Sequence, residues 1–383
     1  MARVPTLTDE QRKQVAPVLL DPIEYRKSGL SLNHIIGCPL DCAYCVRHLF
    51  SNFGMKQPHL LMPDDEAVEL LTTHRFFQRD LTPIQVFNRA TDPFLPGVKP
   101  HTFAVLRELD RRGLNNHVLV ITRWCITPED CDVLNALSHL RLTVFVTYSG
   151  INDPRIEPVD SNIAAESLRV AHERADRYRT VLSWRPLVPG LNDTPEHLEA
   201  ALALSHHAHA VAFTGLFFRD EIRAYYRSIG LPEPYSETAR RKILPEAMEH
   251  RVLAAFVGST GSPLFRKTSC AVAYAHRTSD YNGHYGIREL CDICPAAQLE
   301  RCAASFRVPE PEQLRALAER IDVGEPFSIG ERAVEVDGLD EQRRYYLQHS
   351  LGFQVHNPRL PHQHRRHGRA EIGWDQRYDH DDE

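Results

Sequence analysis

The stretch Gly37-Cys38-Pro39-Leu40-Asp41-Cys42-Ala43-Tyr44-Cys45 packs three cysteines into eight residues, spaced C-x3-C-x2-C, behind the apolar run ending at Ile36. A structural zinc site closes a tetrahedron with four side chains, so a compact trio leaves that arithmetic one ligand short. Three thiolates suit a cubane iron–sulfur cluster that keeps one iron open to a small molecule. The bland reading is a zinc knuckle or a set of core thiols.

Outward from the trio, short β-branched runs alternate with amphipathic segments. The pattern predicts strands at Leu32–Ile36, Ile84–Asn88, His117–Arg123, Leu142–Tyr148, Thr180–Leu187 and Ala210–Phe217. Helices are expected near Asp64–Thr73, Thr102–Arg112, Pro128–Leu137, Asn162–Arg174 and Pro195–His206. Two of these open alike, with Thr127-Pro128-Glu129 and Thr194-Pro195-Glu196. Threonine caps free amides, proline suits the first helical position and an acid complements the positive helix end. Strand–helix alternation predicts an α/β fold with a parallel sheet and right-handed crossovers; an open doubly wound sheet would share the pattern.

The trio with Asn33, then Thr91-Asp92-Pro93-Phe94, Ile121-Thr122-Arg123, Glu157-Pro158 and the run Pro186 to Asp193, resembles the radical S-adenosylmethionine (SAM) enzymes, in particular their spore photoproduct lyase-like branch. The resemblance covers roughly residues 30–218. It implies a partial (β/α)6 barrel with the chemistry at the C-terminal strand ends. It also implies that Cys38, Cys42 and Cys45 hold a [4Fe–4S] cluster whose open iron chelates SAM. Tyr44 would approach the adenine, Ala90, Thr91 and Asp92 the methionine amino group, and Arg123 the methionine carboxylate. Ser149 would meet the ribose, and Gly215 would let the backbone pass close to the adenine. A reducing electron donor and a 5′-deoxyadenosyl radical come with the family's chemistry. One departure matters: Ala90 stands where the branch carries a hydrogen-donor cysteine. Cys125, two residues past Arg123, is the remaining candidate for that role, against the ordinary reading of a lone cysteine as a small hydrophobe. Thymine-dimer repair therefore does not carry over.

A second set follows: Cys270, Cys291-Asp292-Ile293-Cys294 and Cys302, spaced C-x20-C-x2-C-x7-C. It is similar in kind to the auxiliary-cluster extensions of radical SAM enzymes. A second [4Fe–4S] cluster is favoured over zinc, and both suit the donors. The expected organisation is an N-terminal extension (1–29), the partial barrel (30–218), a helical and cysteine-rich auxiliary region (219–306), a small cap (307–356) and a tail (357–383). In the cap, a helix is expected at Pro311–Ile321, a strand or hairpin at Phe327–Val336 and a helix near Glu341–Leu351.

The chain has 383 residues, nine cysteines and a formal charge of −6. With no long apolar segment at the N-terminus, membrane insertion is not expected, and the thiols read as metal ligands in a cytoplasmic protein. The acidic balance favours a peptide or small-molecule substrate over DNA or RNA. Arg359, Arg365, Arg366 and Arg369, beside His362, His364 and His367, keep the nucleic-acid alternative open, and that histidine-rich tail is itself a weak metal candidate. A non-enzymatic zinc or iron–sulfur module is the reading from another class.

Overall fold

The computed structural model describes residues 4–239, 242–324 and 327–360, with the backbone alone of 366–367 and 370–371. The expectations placed on the arginine and histidine side chains from His362 to Arg369 lie outside the described residues.

Two short helices, α1 (Asp9–Gln14) and α2 (Pro17–Leu20), precede a hairpin of β1 (Ile23–Arg26) and β2 (Gly29–Leu32). A small antiparallel pair, β3 (Ile35–Ile36) and β4 (His59–Leu60), closes residues 37–58 into a loop. The array continues with α3 (Asp64–Thr73), β5 (Ile84–Val86), α4 (Lys99–Arg111), β6 (His117–Thr122), α5 (Pro128–Asn135), β7 (Arg141–Tyr148), α6 (Ser161–Glu173), β8 (Arg179–Leu187), α7 (Pro195–Ser205) and β9 (Ala210–Gly215). Beyond it lie α8 (Asp220–Ser228), α9 (Glu246–Phe256), β10 (Leu264–Phe265), α10 (Thr268–Ala275), α11 (Arg288–Cys291) and α12 (Ala296–Ser305). The C-terminal part holds α13 (Pro311–Glu319), β11 (Phe327–Ile329), β12 (Ala333–Val336), α14 (Glu341–Leu351) and β13 (Gln354–His356).

The main sheet has eight strands in the order β1-β2-β5-β6-β7-β8-β9-β10, parallel from β2 onward. Strands that neighbour in space also follow in sequence. Right-handed crossovers then put successive helices on one face, which is how a barrel winds. A doubly wound sheet reverses its order midway, and this one does not. The expected α/β sheet of partial-barrel type is therefore present, open between β1 and β10.

Alternation along the strands separates two cores. Leu142, Val144 and Val146 of β7 join the helix-side cluster, whereas Phe145 packs inward with Leu119, Val181 and Ala212. Helix α10 lies on that inner face through Ala271, Val272 and Ala275.

Three local readings change. The strand expected at Leu32–Ile36 is split: β2 ends at Leu32, where Asn33 turns its side chain to the Asn88 N–H (2.9 Å), and Ile35–Ile36 pairs with His59–Leu60 instead. β1 and β10 were not foreseen; four- and two-residue runs carry too little periodicity. Thr127 caps α5 as expected, with Asp130 completing the box. Thr194 instead pairs its hydroxyl with His197 Nδ1 at 2.8 Å.

Candidate functional site

The loop bearing the trio starts at Gly37, whose φ of +99° and close neighbour admit no side chain: an added Cβ would lie 2.2 Å from the Gln57 carbonyl oxygen. The loop is wrapped round one buried cation. Arg47, 2 % exposed, donates to the carbonyls of Cys38 (3.0 Å), Asn52 (2.8 Å), Phe53 (3.0 Å) and Met55 (2.7 Å). An unpaired buried guanidinium would be costly; four carbonyl dipoles compensate it and fix the loop's course. From α8, Tyr225 packs on His48 and Phe53, with ring centroids at 4.5 and 4.9 Å.

Cys38 and Cys42 are buried and Cys45 is partly so. The three thiols act electrostatically on one another. Burial pushes the Cys38 and Cys42 thiols up, while Arg47 and Arg123 respectively pull them back. A bound metal overrides such burial by taking the thiolate directly.

Beside the trio stands a polar knot. Arg123 leaves the end of β6, its guanidinium 5.2 Å from the centre of the Tyr44 ring. It donates to the Tyr44 hydroxyl and pairs with Glu157 at 3.2 Å. Tyr44 also donates to Glu157, and so does Ser149 Oγ, at 3.1 Å. Burial opposes the charge on Arg123, but Cys42, Tyr44, Glu157 and Asp92 hold its pKa well above the ordinary value.

The residues after β5 are placed by Asn33, whose Oδ1 accepts the Asn88 N–H at 2.9 Å. Asp92 is buried and accepts from Thr122 Oγ1 (2.7 Å), the Arg123 N–H (2.9 Å) and the Phe94 N–H (3.0 Å). Its carboxylate thus welds the β5 and β6 exits together. Ala90 is buried, and the Thr91 hydroxyl is buried with no protein partner.

Gly215 is crossed by the chain itself: an added Cβ would meet the Ile243 carbonyl oxygen at 1.7 Å. Its need for glycine is explained by the Leu216–Ile243 bridge. Cys125 is exposed, and Cys131 is buried in α5.

The second set also converges. Cys270 near the start of α10, Cys291 at the end of α11, Cys294 in the following turn and Cys302 on α12 act on one another electrostatically. Burial raises all four thiols, Cys294 to about 12. Arg266 anchors the loop, donating to the Glu289 carbonyl (2.8 Å) and Asp292 (3.2 Å). Two residues missed in the sequence sit here. Asp280 and His284 approach Cys270, their ligand atoms within 4.8 Å of one another. His284 Nδ1 lies 2.9 Å from Asp280.

A tetrahedral zinc, with bonds of about 2.3 Å, sets its sulfurs about 3.8 Å apart. Among the described residues no three sulfurs lie within 4.8 Å of one another, in either set.

Arg47 and Glu157 were not assigned roles from the sequence. Glu157 had its motif to signal it; a lone arginine in a loop had nothing.

No family model matches the chain, and no curated protein matches it. Among solved structures, spore photoproduct lyase complexed with dinucleoside spore photoproduct is similar, with 10 % identity and a TM-score of 0.47 over 69 % of this chain and 86 % of that one. Streptococcus suis SuiB bound to S-adenosylmethionine gives 10 % identity and 0.42 over 67 % and 55 %. SuiB bound to precursor peptide SuiA gives 11 % and 0.43 over 72 % and 58 %.

Proposed function

We propose that the chain is a radical SAM enzyme acting on a peptide or small molecule. The observation that carries this reading is the convergence of Cys38, Cys42 and Cys45 beside the Arg123–Tyr44–Glu157 knot, at the exits of a parallel sheet. Exits of parallel strands are where such folds concentrate their chemistry.

The three thiolates would hold a [4Fe–4S] cluster, and the donor set fits it: three cysteines of one loop, with polar groups beside them for a charged ligand. With one electron from an external reductant, the cluster and SAM would together supply reductive cleavage to methionine and a 5′-deoxyadenosyl radical able to abstract hydrogen from carbon. The chain's own residues bind and orient. Arg123 offers a cation to the methionine carboxylate, and the Thr91 hydroxyl offers a buried polar atom with an open valence. Ser149 and Glu157 offer acceptors to the ribose. Arg47 holds the loop so that the thiols keep their mutual positions. Cys270, Cys291, Cys294 and Cys302 would carry a second cluster, four thiols gathered around α10, α11 and α12. Reduced thiols at both sets suit a cytoplasmic setting.

The test is anaerobic reconstitution with iron and sulfide counted per chain, then dithionite reduction with SAM. About eight irons, roughly four per cluster, together with 5′-deoxyadenosine are expected. Iron-loaded protein that neither binds nor cleaves SAM would end the proposal, leaving a metal-binding module.

A further inference from the structure

Asp280 and His284 stand in the segment between α10 and α11 and take no part in the chemistry proposed above. Their turn is fixed from outside. Asn282 Nδ2 donates to the Lys27 carbonyl (3.2 Å), Asn282 Oδ1 lies 2.8 Å from His349 Nε2, and the Asn282 carbonyl accepts from Gln354 Nε2 at 2.6 Å. Gly283, at φ +65°, lets the chain pass Phe353, whose Cα would lie 2.5 Å from an added Cβ. The β1–β2 hairpin, α14 and β13 therefore hold the backbone of this turn, and the side chains on either side of Asn282 are presented by a rigid frame.

Both side chains are buried, with Asp280 8 % and His284 1 % exposed. Asp280 Oδ2 accepts the backbone N–H of His284 at 2.9 Å and lies 2.9 Å from His284 Nδ1. The other oxygen of that carboxylate, Oδ1, is buried with no hydrogen-bond partner among the described residues. A buried carboxylate oxygen ordinarily has a donor or a metal against it. Cys270, in the first turn of α10, completes the group: one ligand atom from each of the three residues lies within 4.8 Å of the other two. Among the described residues this is the one such convergence of cysteine, histidine and acid. Zinc binds cysteine sulfur at about 2.3 Å and histidine nitrogen or carboxylate oxygen at about 2.0–2.2 Å, so ligand atoms on one ion stand roughly 3–4 Å apart. A structural ion pair accounts for the contact of Asp280 with His284, and leaves the approach of a thiol and the unpartnered oxygen unexplained. The rest of the second cysteine set adjoins the same turn. The Cys291 thiol donates to the His284 carbonyl (3.7 Å), and Gln298 Nε2 donates both to Cys302 Sγ (3.3 Å) and to the Thr278 carbonyl (2.9 Å).

We infer that Cys270, Asp280 and His284 together bind a single zinc ion. Three protein ligands leave the fourth tetrahedral position to water or to a donor group of a substrate. A thiolate sulfur keeps lone pairs after one metal bond, so Cys270 can serve this ion and a neighbouring cluster together. The zinc site stands on its own donors; its position beside a second cluster rests on the enzyme reading above.

The experiment reconstitutes the full chain anaerobically with iron and sulfide, titrates it with zinc chloride and counts both metals. One zinc per chain is expected beside the iron, and X-ray absorption at the zinc edge should show a shell of one sulfur with lighter nitrogen and oxygen ligands. Absence of zinc, or a shell made of sulfur alone, would overturn the inference. His284→Gln and Asp280→Asn should each weaken zinc binding at least tenfold and leave the iron count unchanged. Variants that bind zinc like the parent, or that lose iron in place of zinc, would count against it equally. His284→Cys keeps a ligand at the position and should retain zinc with a second sulfur in the shell, which a histidine needed only for folding would not produce. The two readings fail separately. Two clusters' worth of iron without zinc would remove this site and leave the enzyme reading standing, whereas zinc in the mixed shell of a chain that takes up no iron would do the reverse.

Discussion

Arg123 and Glu157 form a shielded ion pair, Nη1 to Oε2 3.2 Å, with side chains 18 % and 4 % exposed. They come from different strand exits and meet over Tyr44. Replacing Glu157 by Gln removes the counter-charge from a cation that stays buried. Breaking such a pair costs about 3–5 kcal/mol. Denaturant unfolding of Glu157→Gln should show a loss on that order, and SAM titration should show weakened binding. Unchanged stability would mean that the pair is solvated.

Arg47 makes four hydrogen bonds to carbonyls of the cysteine loop, of which those of Asn52 and Met55 also accept a backbone N–H. A hydrogen bond to a charged group contributes about 1.5–3 kcal/mol net of the exchange with water. Arg47→Met should therefore cost several of these units and, more tellingly, lower iron retention after reconstitution. Arg47→Lys, lacking the planar fork, should recover part of the stability and little of the iron. Full iron in Arg47→Met would show that the loop keeps its shape without the guanidinium.

The two thiol sets should separate by iron count. Cys42→Ala should reduce the reconstituted protein from about eight irons to about four and abolish SAM cleavage. Cys294→Ala should reduce iron to about the same level while retaining SAM binding. Retention of all iron in either variant would remove that set from the metal chemistry.

At Gly215 the Ile243 carbonyl leaves no room for a methyl group. Gly215→Ala should push the 243 segment off β9, with an overpacking cost of about 1–3 kcal/mol. Thermal melts check this, and an unchanged melting temperature would show that the 243 segment yields without cost.

Two buried histidines set a pH dependence. His117 and His349 are each lowered to about 3, chiefly by burial. His349 also lies 2.8 Å from Asn282 Oδ1 and 3.1 Å from the Tyr25 hydroxyl, a set of partners that the neutral ring satisfies. The unfolded chain binds these protons near 6.5, the folded chain only near 3. Between those values the unfolded state holds more protons, so stability is intact above about 6.5 and declines as pH falls. The slope should be about 1.4 kcal/mol per pH unit for each histidine. His349→Gln should flatten it; an unaltered slope would show that His349 is already charged in the fold.

Local pattern exposed much of the scaffold. Periodicity located the helices and parallel strands from Ile84 to Gly215 to within a few residues, because each repeats its apolar spacing over several turns or pleats. The spacing of Cys38, Cys42 and Cys45 marked the site for a similar reason: ligands close in sequence are close in space whatever the rest of the chain does. β1 and β10 escaped notice because short strands acquire their pairing only from the sheet they join.

By itself, then, the order of residues determined which segments alternate and which thiols cluster, since both follow from neighbours along the chain. Only the tertiary structure decided that Arg47 would hold the cysteine loop and that Glu157 would meet Arg123. Electrostatic partnership depends on distance and dielectric, and folding alone brings residues 34 positions apart, Arg123 and Glu157, into the same poorly screened space.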